Sequence, residues 1–422
     1  MCKTKTGNLV TVILYLCMAI PMFFFIDGAI TLGGFGFMYH YLFGAGIAAM
    51  SFICFLIWPD IRRVGWTIEV SFVLALSYIV PIIISLFIWA VSQSEMSMII
   101  EGSFSCIYVL IAVVVAAGTV YMLRDWAVLV SCIAMSIANV MIIIPVAAEG
   151  GIFDFINEFV SLVITFGEDT GPLMKSIEIH DLTFAFCLYL MYAIINKKVK
   201  GRKTVIVLSL IFSLTGLKRI AVAGILLAVI LYALLIKCNK KTVQYISIGI
   251  IVIVIAASFA YIAAVQNGLF YFLESKGIDT KGRQLIYSYL GQFFEITPDF
   301  IGHGLGFSRQ AWNLPLYSRL HQDAYHNEFL RMFIELGFFG YFIWIYFNLP
   351  YRFINIFKMQ GKKGGLLYLG MALYCCITYA TDNTYYYYYM NMAVFILVIY
   401  SGHEKFKMED RRMKNYVDVN DE

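Results

Sequence analysis

Hydrophobic positions come in long unbroken runs from one end of the chain to the other, with short polar clusters between them. A run such as ISIGIIVIVIAASFAYIAAV (residues 246–265) holds no charge over about 20 residues, the length a helix needs to cross a bilayer. Membrane-spanning strands would instead alternate apolar and polar residues over about ten positions. The runs predict twelve membrane helices, at 9–26, 41–58, 68–91, 104–122, 126–148, 180–195, 204–217, 220–236, 243–265, 326–348, 365–381 and 385–400. The expected class is all-α and polytopic, with one membrane domain over 1–403 and a tail over 404–422. MCKTKTGN precedes the first run and no small-residue cleavage site ends it, so it reads as a retained helix. No internal repeat is visible.

Composition agrees. Of 422 residues, 61% are hydrophobic and 14% charged, and the mean hydropathy is +0.79. Charge adds an orientation. With the N-terminus inside, alternate loops collect most of the 31 Lys and Arg, among them Arg62, Arg63, Arg124 and the KKVKGRK run. The segment 149–179 is acidic and falls outside, and an even helix count returns the C-terminus to the cytoplasm. No feature points to nucleic acid. The nine Cys lie mostly within apolar runs, so no disulfide framework is implied, and Cys375-Cys376 reads as packing.

Two outer segments are long, 149–179 and 266–325, and long loops often carry function. Within the second, GRQLIYSYLGQFFEI (Gly282 to Ile296) sets Leu285, Ile286, Tyr289, Phe293 and Phe294 on one helical face. That helix is expected to lie on the outer leaflet or to cap the bundle. Past Pro298, Gly302, Gly304 and Gly306 predict a flexible turn; a phosphate-cradling loop is excluded because its lysine is missing.

Several polar residues need an explanation. Lys218 and Arg219 occupy a very short outward turn, either snorkelling or presenting a cation to an anion. Arg283 opens the amphipathic helix, either solvated or as a second anion-binding cation. Arg309 and His321, in the same outer loop, are further substrate-binding candidates. In YHNEFLRMFIELGFFG, Glu328, Arg331 and Glu335 are spaced to pair along one helix side, and Gly337 and Gly340 to let helices approach. His326 and Asn327 remain, at the helix start: an ordinary terminus, or a general base or hydrogen-bond partner for a hydroxyl. Asp299, His303, His321, Asp323 and His326 cluster without any tight metal-ligand spacing, so no metal is expected. In TDNTYYYYYMNM, the tyrosines form an aromatic belt at the interface or stack on a ligand, and Asp382 and Asn383, at the outer turn, are further substrate-binding candidates.

Three segments in order, SLTGLKRIAVAGILLAV, GRQLIYSYLGQFFEITPDFIGHGLGF and YHNEFLRMFIELGFFGYF, resemble the O-antigen polymerase and O-antigen ligase superfamily of bacterial membrane glycosyltransferases. The similarity covers residues 205–348, with one departure: Lys218 stands where that family has a small Ser before the Arg. The Glu335-Leu336-Gly337 step fits the family pattern, which also marks Glu335 as a candidate for substrate contact. The resemblance implies a bundle of the lipid-linked glycosyltransferase (GT-C-like) kind, with a large extracytoplasmic loop, in the bacterial cytoplasmic membrane. It implies a donor and an acceptor glycan on undecaprenyl diphosphate, no cofactor, and a chain-length regulator and a flippase as partners. Carried over by position, Arg219 and Arg283 hold the diphosphate and His326 orients or deprotonates the attacking hydroxyl. The implied reaction is polymerisation of repeat units, the close alternative being ligation to lipid A core or another acceptor. A flippase or other transporter is the competing class, but it would show repeated halves and broken helices at the midplane. Here the unusual residues gather at the outer face of the second half.

Overall fold

The structure, a computed structural model, describes residues 5–25, 36–167, 170–177, 180–280, 282–312 and 326–420. In chain order the helices are α1 (Lys5–Phe24), α2 (Gly36–Ile57), α3 (Ile61–Ser92), α4 (Met96–Leu123), α5 (Ala127–Gly150), α6 (Ile152–Ile164), α7 (Pro172–Ile177), α8 (His180–Ile195), α9 (Arg202–Thr215), α10 (Arg219–Leu235), α11 (Lys240–Gln266), α12 (Leu269–Ser275), α13 (Arg283–Leu290), α14 (Phe307–Trp312), α15 (Glu328–Tyr346), α16 (Arg352–Tyr379) and α17 (Tyr388–Asn420). Each of the twelve expected runs has its helix, and no strand occurs among the described residues. Five helical stretches are long and apolar enough to cross a membrane, and Leu9–Phe24, Asp181–Ile195 and Arg219–Leu235 are shorter apolar helices. The chain is an all-α polytopic membrane protein.

The first half of α17 is buried on every side, Met390 to Tyr400 included. A helix apolar all round is a core helix, and α4, α8 and α16 surround it. Its start is fixed by Asp181 of α8, whose carboxylate accepts from the backbone amides of Met390 (2.6 Å) and Tyr389 (3.0 Å). The tyrosine string leading into α17 is therefore no interfacial belt. Tyr385, Tyr388 and Tyr389 are buried, and the Tyr385 hydroxyl donates to the Ser77 carbonyl (2.5 Å) and that of Tyr389 to the Met22 carbonyl. Rings of this size supply the apolar area of the core, while backbone carbonyls of neighbouring helices satisfy the hydroxyls of Tyr385 and Tyr389.

The α10–α16 pair sets the geometry of one end of the bundle. Gly224 abuts Tyr374, Gly370 abuts Ala228, and Lys362 Nζ donates to the carbonyls of Ile236 (2.9 Å) and Cys238 (3.0 Å). These contacts fix an antiparallel register, and continuing it sets Arg219, the first residue of α10, level with Tyr379 at the end of α16.

The described part of the long segment after α11, 267–312, folds onto the bundle. The buried face of α13 is Ile286, Tyr287 and Leu290, continuing to Phe294, whereas Leu285 is exposed. The helix is thus rotated from its expected face, because Tyr287 packs edge-on against Phe270 of α12 (4.6 Å). The glycine segment is likewise not a flexible turn. Gly302, Gly304, Leu305 and Gly306 are buried, and the segment enters between α3, α4 and α15. Leu305 N–H donates to Ser85 Oγ (3.0 Å), and His303 and Gly304 N–H donate to the carbonyls of Ile334 (3.1 Å) and Glu335 (2.7 Å). Those carbonyls are available because α15 is broken at Gly337, at φ 73, ψ −176. The expected unbroken helix over 326–348 is two pieces, and its Glu-x-Gly sequence is where the loop docks.

Candidate active site

The chain enters α15 through His326, whose backbone is in the left-handed region at φ 50. This conformation costs roughly 1–2 kcal/mol for a residue with a side chain, although His is among the residues enriched there. Two hydrogen bonds hold it. The Tyr287 hydroxyl donates to the His326 carbonyl (3.2 Å), and the His326 N–H donates to Asn383 Oδ1 (3.1 Å). Burial raises the Tyr287 hydroxyl well above the ordinary phenol value, so it stays a donor. Strain fixed from both sides is a common mark of a functional position.

The imidazole is one-third exposed, and its Nδ1 lies 3.9 Å from Asp382 Oδ1. The same Asp382 oxygen accepts from the Tyr387 hydroxyl (2.8 Å) and from Asn383 N–H (2.7 Å). The carboxylate is thereby turned inward and is 7% exposed. Burial, with the Asp382 carboxylate adding to it, raises the Tyr387 hydroxyl well above the phenol range. The result is an imidazole with a carboxylate behind one nitrogen, the usual relation between a base and the group that orients it.

Arg283, at the start of α13, donates from Nη2 to the Thr381 carbonyl (3.1 Å). Arg283 and His326 are thus anchored to the same short turn, 381–383, from two different parts of the outer segment. Tyr261 of α11 reinforces the turn through the Ala380 carbonyl (3.3 Å). Arg219 is exposed and, by the α10–α16 register, stands at this end of the bundle. Lys218 is half-buried, and its carbonyl accepts from Ala221 (3.0 Å) and Val222 (3.2 Å), opening α10.

Other candidates are placed differently from the expectation. Asn327 is fully buried and caps α15 through Oδ1 to Leu330 N–H (3.1 Å). Glu335 is also fully buried. Its Oε1 accepts from Ser308 N–H (3.2 Å) and meets Arg331 Nε (3.4 Å), whose Nη1 reaches Glu328 Oε1 (4.0 Å). The three-charge ladder therefore forms, with the Arg331 guanidinium 4.3 Å over the Tyr386 ring. Asn327 and Glu335 each hold a backbone amide with one oxygen, and Asp382 Oδ1 and Asn383 Oδ1 lie beside His326. The side chain of Arg309 and the whole of His321 lie outside the described residues. His303 gives Nε2 to a contact with the Phe293 carbonyl (2.8 Å) and stacks on Phe307 at 4.1 Å.

Sequence reasoning missed Tyr287 and the Asp382 contact to His326. Tyr287 had a signal: it follows Arg283 by one helical turn and so shares its face. Asp382 is 56 positions from His326 and had none.

An arginine and an imidazole sharing one turn, with a second arginine level with it, suit an anionic substrate that also presents a hydroxyl. No curated protein matches the chain. Residues 204–345, which run from α9 through most of α15, match the family model described as O-antigen ligase, in line with the O-antigen polymerase and ligase superfamily that the ordered motifs resemble.

Proposed function

We propose that the protein is an extracytoplasmic polysaccharide polymerase that joins repeat units carried on undecaprenyl diphosphate. The observation that carries this reading is the convergence of Arg283 and His326 on the 381–383 turn, with Arg219 level with it. A glycosyl diphosphate has a good leaving group, so the enzyme has mainly to position the reactants and stabilise charge. Arg219 and Arg283 hold the diphosphate. The acceptor hydroxyl oxygen attacks the anomeric carbon of the donor as the bond from that carbon to the diphosphate oxygen breaks. The bonding pair leaves with the diphosphate, next to the guanidinium groups. The hydroxyl proton passes to His326 Nε2, and the Asp382 carboxylate, 3.9 Å from Nδ1, favours the positive imidazolium that results. The products are the extended glycan and the free carrier diphosphate.

The test is chain extension by purified protein supplied with lipid-linked repeat units. Each of Arg219→Ala and Arg283→Ala is expected to lower the rate by roughly 30-fold to 1,000-fold, as for loss of one preorganised donor at a developing anion. Undiminished extension by both variants overturns the mechanism. The family description favours a second reading, ligation, in which the same chemistry serves a different acceptor. Gene deletion separates the two: single repeat units at the surface mark a polymerase, and long chains stranded on the carrier lipid mark a ligase.

A further inference from the structure

At the far end of α3 from the glycine loop, two cavities lie side by side. The first is an apolar groove of about 410 Å³ between α2, α3 and α4. It exists because α2 and α3 each pack along α4 and make little contact with one another. Small α4 side chains, Val114, Ala117 and Gly118, form its floor, and Phe52, Phe55 and Ile68 form its walls. The second is a polar cavity of about 730 Å³ beside it, lined by Arg62, Arg63, Arg124 and Asp60. Tyr121 joins the two, lining the groove and donating its hydroxyl to the carbonyl of Trp58, which lines the polar cavity (2.9 Å).

The charges are unevenly committed. Arg63 is occupied, with Nε 2.8 Å from Asp60 Oδ2 and Nη1 3.0 Å from His403 Nε2. Among the described residues, no hydrogen bond or ion pair engages the guanidinium of Arg62 or Arg124. Arg124 also stands at φ 50, ψ −117 at the joint between α4 and α5, a backbone conformation that a side chain makes costly. Three arginines against one carboxylate leave the cavity positive, and the apolar groove beside it has Val114 of α4 at an exposed position.

We infer that this paired cavity is a binding site for an anionic glycerophospholipid, with the phosphate held by Arg62 and Arg124 and an acyl chain laid in the α2–α3–α4 groove. Charge complementarity selects an anionic head group, and the adjoining apolar groove selects a lipid over a free anion. The charge distribution of the loops assigns this end to the cytoplasm, where the leaflet is rich in such lipids. The site is roughly 40 Å along α3 from Trp89, which touches the glycine loop, so it is separate from the candidate active site.

The test is native mass spectrometry of the full chain titrated with phosphatidylglycerol and with phosphatidylcholine of matched acyl chains. Phosphatidylglycerol adducts are expected at roughly tenfold lower lipid concentration. The double variant Arg62→Ala/Arg124→Ala is expected to lose that preference, by up to about 30-fold, the effect of two basic residues at an anionic membrane surface. Val114→Trp, at an exposed position, is expected to fill the groove and weaken phosphatidylglycerol binding with the arginines intact. Unchanged melting temperatures in lipid-free detergent establish that the variants fold. Equal occupancy by both lipids, or a preference that survives the double variant, overturns the inference. So does displacement of phosphatidylglycerol by inorganic phosphate combined with indifference to Val114→Trp, which would make the cavity a site for a bare anion.

Discussion

Gly302 and Gly337 meet backbone to backbone: a Cβ on Gly302 would lie 2.4 Å from the Gly337 amide nitrogen, and one on Gly337 would lie 2.2 Å from the carbonyl carbon of Ile301. Both residues are at positive φ, 82° and 73°. The glycine loop and the break in α15 are therefore two halves of one joint, which sets where α15 begins and hence where His326 stands.

Alanine at either position is expected to destabilise the protein strongly. The left-handed backbone accounts for roughly 1–2 kcal/mol and the steric collision for roughly 1–3 kcal/mol more. The measure is the thermal midpoint of the purified protein in detergent. Gly249→Ala, in α11 with nothing within 4 Å of its Cβ, is the control and should be neutral or slightly stabilising. A Gly337→Ala protein as stable as the Gly249→Ala protein contradicts this account of the joint.

His326 combines a strained backbone with the chemistry assigned to it, and two substitutions separate these. His326→Asn keeps a residue that tolerates the left-handed region and removes the base, so it should fold normally while chain extension falls by roughly 100-fold to 10,000-fold. His326→Ala should lose similar activity and, in addition, some stability. If His326→Asn extends chains at the wild-type rate, the imidazole has no part in proton transfer.

The helices were legible in the sequence because twenty-residue apolar runs admit few other structures, and the ladder of Glu328, Arg331 and Glu335 was legible because helical spacing is local. The rest depended on contacts between distant segments. The tyrosines of 385–389 look amphipathic, and only their packing against α1 and α3 reveals a core position. The face of α13 was misjudged because Leu285 and Tyr287 are both apolar enough to be buried, and the neighbouring Phe270 decided between them. At the site, Arg219, Arg283 and His326 stood out as charge or imidazole next to apolar runs. Asn327 and Glu335 stood out for the same reason yet are spent on backbone amides, a difference that no local pattern encodes.

Asp382 is expected to act through His326 and not on substrate. Asp382→Asn leaves a group able to accept from Tyr387 and from Asn383 N–H, so the turn should survive. It removes the negative charge 3.9 Å from Nδ1, and kcat should fall by roughly tenfold to 100-fold with KM little changed. The kinetic split checks it. A rise in KM at constant kcat would instead return Asp382 to the role of a sugar ligand.

Tyr287 ties α13 to the candidate site through one hydroxyl, and Tyr287→Phe removes that bond together with the hydroxyl's interactions with Tyr261 and Asn327. The ring keeps its packing on Phe270, so the loss should be about 0.5–1.5 kcal/mol of stability, with a several-fold drop in chain extension as the His326 backbone loosens. The effect has a defined pH range. Burial places the folded-state value of this phenol well above the unfolded one near 10, so the protonated form is favoured by folding. Its stabilising contribution is fully present below pH 10 and is lost only as pH rises toward the folded-state value. Thermal midpoints of wild type and Tyr287→Phe should therefore differ by a constant amount between pH 6 and pH 9. A difference that shrinks across that interval would mean that the hydroxyl is not the buried donor to the His326 carbonyl.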